Sequence, residues 1–220
     1  MITLAFALLA AAQAPEQAPR MDDRPAPWPE NDRGFGPNVD RVKESEPDAR
    51  RAMARYAGCV ADKSNDKVTE LLGGDFTTTA YRSGLKNLVN ANGGCAKQVG
   101  VRSEVMRSAS LPFAGSLAEA MLRSDPAPLN VRLARAAAGK EAPTFAPSDK
   151  VAMCVARSSP DEVAKLFATD PGSAEENRVA EQLMPVVKLC SGPTKLETNV
   201  VGLRSIVATA SFRLLAAQES

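Results

Sequence analysis

Cys59 and Cys95 stand thirty-six residues apart, and so do Cys154 and Cys190. Laid on each other at a constant offset of 95 residues, the two halves match beyond the cysteines. Cys59-Val60-Ala61 meets Cys154-Val155-Ala156, Ser64 meets Ser159, Asp66 meets Asp161, and Val68, Leu71 and Asp75 meet Val163, Leu166 and Asp170. Eight identities in a gap-free window of seventeen positions read as an internal duplication. After the second cysteine the offset drops to 90, so that Leu117-Ala118, Ala120 and Leu122-Arg123 meet Val207-Ala208, Ala210 and Phe212-Arg213. A five-residue difference of this kind belongs in a connecting loop, where length is cheap.

The duplication chooses among the three pairings that four cysteines allow. A copied unit with one internal bridge gives Cys59–Cys95 and Cys154–Cys190, each worth about 3–4 kcal/mol through the entropy of the unfolded chain. A four-thiolate zinc site is the alternative, but no C-x2-C pair is present.

Each copy reads as four short helices. In the first, Ala49, Met53, Tyr56, Ala57 and Val60 lie on one helical face. A second helix starts with Ser64 as N-cap, carries Val68, Leu71 and Leu72, and stops at Gly73-Gly74. A third carries Leu85, Leu88 and Val89 and ends at Gly93-Gly94, and a fourth carries Phe113, Leu117, Ala120 and Met121. In the second copy, Ser148 opens helix one, Ser159-Pro160-Asp161-Glu162 and Ser173-Ala174-Glu175-Glu176 are capping boxes, and Pro185 predicts a kink. No stretch shows the period-two alternation of a strand. The expected fold is therefore all-α: a tandem duplication of a disulfide-stapled unit of about four short helices.

Ile2 to Ala12 is an apolar run of eleven residues, too short to span a bilayer and suited to the core of a secretory signal. Cleavage is expected after Ala12, since a cut after Ala14 would leave Pro15 at the new terminus. No Lys or Arg precedes the run, so either the start lies upstream of Met1 or the amino group alone serves. Residues 13–46 hold Pro15, Pro19, Pro25, Pro27, Pro29 and Pro37 among mixed charges and read as a disordered arm, with Trp28 inside Pro27-Trp28-Pro29 as a docking motif or an incidental aromatic. The expected organisation is signal peptide 1–12, arm 13–46, repeat one 47–123, linker 124–147 and repeat two 148–220. A short linker helix is expected from Asn130 to Ala138, stopped by Gly139.

Cys154-Val155-Ala156, Ser159-Pro160, Asp170-Pro171-Gly172-Ser173-Ala174-Glu175-Glu176, Cys190 and Leu203-Arg204-Ser205 resemble a group of uncharacterised exported helical proteins of sphingomonad-type alphaproteobacteria. The likeness covers the second copy well and the first loosely. It implies export, to the periplasm or beyond the cell, and a helical fold. It carries no known activity and no site.

Composition narrows function mainly by exclusion. There is no histidine, which removes the commonest general base and metal ligand. The 27 basic and 26 acidic residues are well mixed, so nothing invites nucleic acid, and aromatics at 5% are too few for stacking platforms. Ser64-Asn65-Asp66-Lys67 matches the Ser-x-x-Lys nucleophile pair, but the copy reads Ser159-Pro160-Asp161-Glu162: the serine persists without its base, as an N-cap would. Asp75 and Asp170 could share a cation or proton across the two copies, or simply turn the chain. Leu203 to Ala217 reads as core rather than as an interfacial membrane helix. No catalytic residue, metal ligand or cofactor is assigned. The expected function is a non-enzymatic binding or structural module of the cell envelope or secreted medium, not integral to the membrane, whose partner is an envelope protein. One alternative is a small-molecule or lipid carrier with an apolar cleft between the repeats. The other is an enzyme using carboxylates or a Ser-Lys pair.

Overall fold

Pro47 occupies the first position of helix α1 (Pro47–Lys63), where its missing N–H costs nothing. The computed structural model describes residues 47–99, 110–193 and 196–219. The expected signal segment, the arm and Trp28 lie outside the described residues. Ten helices and no strand occur among the described residues. After α1 come α2 (Asn65–Gly73), α3 (Thr79–Ala91), α4 (Gly93–Val99), α5 (Ser110–Ser124), α6 (Leu129–Ala137), α7 (Pro147–Ser158), α8 (Pro160–Ala168), α9 (Ala174–Ser191) and α10 (Val200–Ala216).

The first helices, α1 and α7, begin 100 residues apart, but the later helix starts keep the sequence offsets. Helices α2 and α8 begin 95 residues apart, as do α3 and α9, while α5 and α10 begin 90 apart. Thr78 caps α3 by accepting from the Tyr81 N–H at 3.2 Å, and its counterpart Ser173 caps α9 by accepting from the Glu176 N–H at 3.1 Å. Cys59–Cys95 ties α1 to α4, and Cys154–Cys190 ties α7 to the last turn of α9. The first cysteine of each pair is half-buried rather than fully inside.

Three local expectations are corrected or extended. Helix α3 ends at Ala91 with Asn92 as its C-cap, just before Gly93-Gly94 as expected. The glycines then open a further helix, α4, because the bridge to Cys59 and the burial of Cys95 and Ala96 hold that turn against the poor helix propensity of glycine. Ser64 and Ser159 sit at the N-cap positions of α2 and α8 but make no side-chain cap bond. Ser64 instead accepts from the Nδ2 of Asn92 at 3.1 Å, since that amide is buried and needs partners. Helix α7 starts from Ala146 and Pro147, leaving Ser148 inside and buried. Helix α9 runs continuously from Ala174 to Ser191 with Pro185 in its interior.

Both halves share one core. Helix α10 lies at its centre, with fourteen of its seventeen residues buried, and packs on α5, α7, α6 and α9. The linker joins this core through Leu133, Ala136 and Ala142. Helices α5 and α10 touch where a Cβ on Gly115 would lie 2.6 Å from Ser205 Cα. Gly115 and Ser205 correspond under the 90-residue offset, so the last helices of the two copies meet at equivalent positions, as an approximate twofold axis requires.

Candidate functional site

An arginine on a helix buried nearly all round must find fixed partners or be displaced to the surface. Helix α10 carries two, Arg204 and Arg213, and the fold builds a separate charged centre around each.

At the first centre, the Arg204 fork donates through Nε and Nη2 to the two carboxylate oxygens of Glu119 on α5, both at 2.7 Å. Its Nη1 donates to Glu176 Oε1 at 3.0 Å and to Thr169 Oγ1 at 3.0 Å. Arg50 from α1 closes on the same Glu176 with two bonds of 2.6 Å, and the Gly172 N–H adds a third at 2.8 Å. Arg123 reaches Glu119 Oε2 at 2.7 Å from a half-exposed position. Burial alone would raise the Glu176 carboxyl, but the bonds from Arg50 and Gly172 and the charges of Arg50 and Arg204 hold it below its ordinary value. Burial likewise opposes the charge on Arg204, yet Glu119 and Glu176 raise its affinity for the proton.

This network lines a small pocket with room for about 30 Å³, whose lining also includes Pro112, Pro171, Met53 and Ser116.

At the second centre, Arg213 pairs with buried Asp149 of α7, and its guanidinium carbon lies 5.7 Å from the ring centres of both Phe76 and Phe145. The Phe145 N–H donates to Asp149 Oδ2 at 2.9 Å. Desolvation pushes the Asp149 carboxyl up, with Arg213 and the Phe145 N–H pulling it back, and it raises the buried Tyr81 phenol as well. Arg213 Nε and Nη1 and the Ser211 hydroxyl have no hydrogen-bond partner among the described residues.

A third feature is a groove on the outside, between α2 and α3, with about 1240 Å³ of space open to solvent. Its floor is Leu71, Tyr81 and Leu88, and its α3 wall is made of Ala80, Gly84 and Ala91. The corresponding residues of α9 are Glu175, Val179 and Val186, larger at each position, and Gly84 lets Leu71 lie against α3, where an added Cβ would be 2.6 Å from Leu71 Cδ1.

The residues singled out from the sequence do not assemble into a site. Lys67 is exposed on the groove lining rather than desolvated beside Ser64, and the Ser64 hydroxyl is engaged with Asn92, so the structure does not build the Ser64–Lys67 pair. Asp75 Oδ1 accepts from the Thr77 N–H at 2.8 Å and hydroxyl at 2.6 Å, which makes it a turn residue. Asp170 is exposed, and its carbonyl accepts from the Ser173 N–H in the matching turn. Among the described residues no group of three or more Cys, Asp or Glu is placed to hold a metal ion. Sequence reasoning missed Arg50, Glu119, Asp149, Glu176 and both α10 arginines. One signal was present: Arg204 and Arg213 are the only charges from Val200 to Ala217, a stretch otherwise apolar, small or uncharged.

No known protein family, curated protein or solved structure matches this chain.

Proposed function

We propose that this chain is an exported, non-enzymatic binding module that seats an amphipathic helix of an envelope partner in the α2–α3 groove. The observation that carries the reading is the solvent-open groove itself, whose lining includes the apolar Leu71, Tyr81 and Leu88 and, on α3, Ala80, Gly84 and Ala91, where the second copy has Glu175, Val179 and Val186. The groove follows α3 from Ala80 to Ala91, about 16 Å, which matches some three turns of a bound helix. Lys67, Glu70 and Asp75 give its rim mixed charge, suited to a partner with both signs rather than to a polyanion.

Two disulfides support export, since such bridges persist in oxidising compartments. No helix among the described residues is long and apolar enough to cross a membrane. A carrier would need its cavity between the halves, where α5 and α10 instead meet at Gly115 and Ser205. An enzyme of the Ser-Lys kind would need Lys67 out of water.

Ala80→Glu tests the reading, because it installs the residue of the second copy at an exposed position. Wild-type protein should retain a partner from envelope extract, cross-linked through a photoreactive group at Asn87, and Ala80→Glu should lose it. Equal recovery by both forms, or cross-links to nothing, would overturn the groove as the docking site.

A further inference from the structure

The pocket above Arg204 and the centre around Arg213 occupy corresponding places in the two copies. Under the 95- and 90-residue offsets, Arg50 corresponds to Phe145, Pro171 to Phe76, Ser116 to Ile206 and Arg123 to Arg213. At the Arg213 centre, Phe76 and Phe145 pack with ring centres 5.9 Å apart and close over Arg213, which is 2% exposed. At the Arg204 centre Arg50 and Pro171 stand in place of the rings, a small opening of about 30 Å³ is left beside them, and the Arg123 side chain on its lining is 49% exposed. The charge differs too. At the closed centre Arg213 meets Asp149, with Asp75 near enough to act on that carboxylate, whereas among the described residues Arg50, Arg123 and Arg204 pair with Glu119 and Glu176, three positive charges to two negative.

From this pair of differences we infer that the open pocket is a binding site for a small carboxylate. A guanidinium carries five N–H donors. Arg123 uses one on Glu119 and Arg50 two on Glu176, so both retain donors beside the pocket. The fork geometry of these donors matches a planar carboxylate, and one anion neutralises the surplus charge. Glu119 and Glu176 fix the guanidinium planes in advance, which lowers the cost of ordering them on binding. The narrow walls of Pro112 and Pro171 limit the ligand to a few heavy atoms. This site shares no residue with the α2–α3 groove and stands or falls apart from it.

The test is a titration of the full disulfide-bonded chain with sodium acetate, followed through the arginine Nε–H signals by NMR, with sodium chloride as the ionic-strength control. The Arg50 and Arg123 signals should shift saturably with a millimolar midpoint while Arg213 stays in place. Arg123→Gln should weaken binding about tenfold, the size of one charge-assisted hydrogen bond. Ser116→Ile, which installs the residue of the closed copy, should abolish it with the remaining spectrum unchanged. A response that fails to saturate, that chloride reproduces, or that Arg123→Gln leaves at the same midpoint would overturn the assignment.

Discussion

Glu176 has no exposed surface and accepts from Arg50, Arg204 and the Gly172 N–H, so its charge is held in place from three sides. Glu176→Gln keeps the shape but leaves two guanidiniums without their shared counter-charge, a change that typically costs about 3–5 kcal/mol. The same residue gives an acid signature. Its folded value lies below the unfolded one, so its contribution is complete above the unfolded carboxylate range, near pH 4.3, and is lost as pH falls through the lower folded value. Asp149 acts in the opposite sense, because burial favours its neutral form. Urea denaturation from pH 7 to pH 3 should therefore show a lower stability for Glu176→Gln at pH 7 and a flatter loss in acid than wild type. Parallel curves would remove Glu176 from the acid limb. None of this was legible in the sequence: glutamate at the third position of a helix reads as a cap, and only folding brings Arg50, 126 residues away, onto it. Ser64 failed for the same reason, since the partner that claims its hydroxyl, Asn92, is distant along the chain.

Between elements, legibility depended on whether the cause was local. The helix and stop at α2 follow from Val68, Leu72 and Gly73-Gly74, and the linker helix expected at Asn130–Ala138 is found at Leu129–Ala137. Gly93-Gly94 carries the same stop signal and α3 does end before it at Ala91, but the glycines also open α4, where a covalent tie outweighs propensity. Glycines elsewhere separate the two effects experimentally. Gly58 on α1 has nothing within 4 Å of an added Cβ, so Gly58→Ala should stabilise by about 0.5–1 kcal/mol through helix propensity alone. Gly115→Ala gains the same propensity but drives its methyl into the backbone of α10 at Ser205, and overpacking of that kind costs about 1–3 kcal/mol. Thermal or urea unfolding should move in opposite directions for the two variants. If both stabilise, the α5–α10 contact is looser than the geometry states, and the argument against a cavity between the halves weakens with it.

For the whole molecule, the paired cysteines foretold two stapled units, but not that the units would surrender independent cores. Repeats usually stack on neighbours while each keeps its own face. Here α10 of the second half fills the centre, α1 of the first reaches Glu176 of the second, and Phe145 of the linker reaches Phe76 of the first. Stability is therefore a property of both halves at once. Each bridge closes a loop of 36 residues, so each should contribute about 3–4 kcal/mol by restricting the unfolded chain. In two independent domains, removing Cys59 and Cys95 would lower one transition and leave the second in place. In a shared core, either pair replaced by alanine should lower one common transition by a similar amount. Urea unfolding of the Cys59→Ala/Cys95→Ala and Cys154→Ala/Cys190→Ala variants, read by helical circular dichroism, decides between them. A single sigmoid at reduced midpoint in both supports one cooperative body, whereas a biphasic curve in either would return the molecule to two separately folded units and make the crossing of α5 and α10 a docking contact rather than a core.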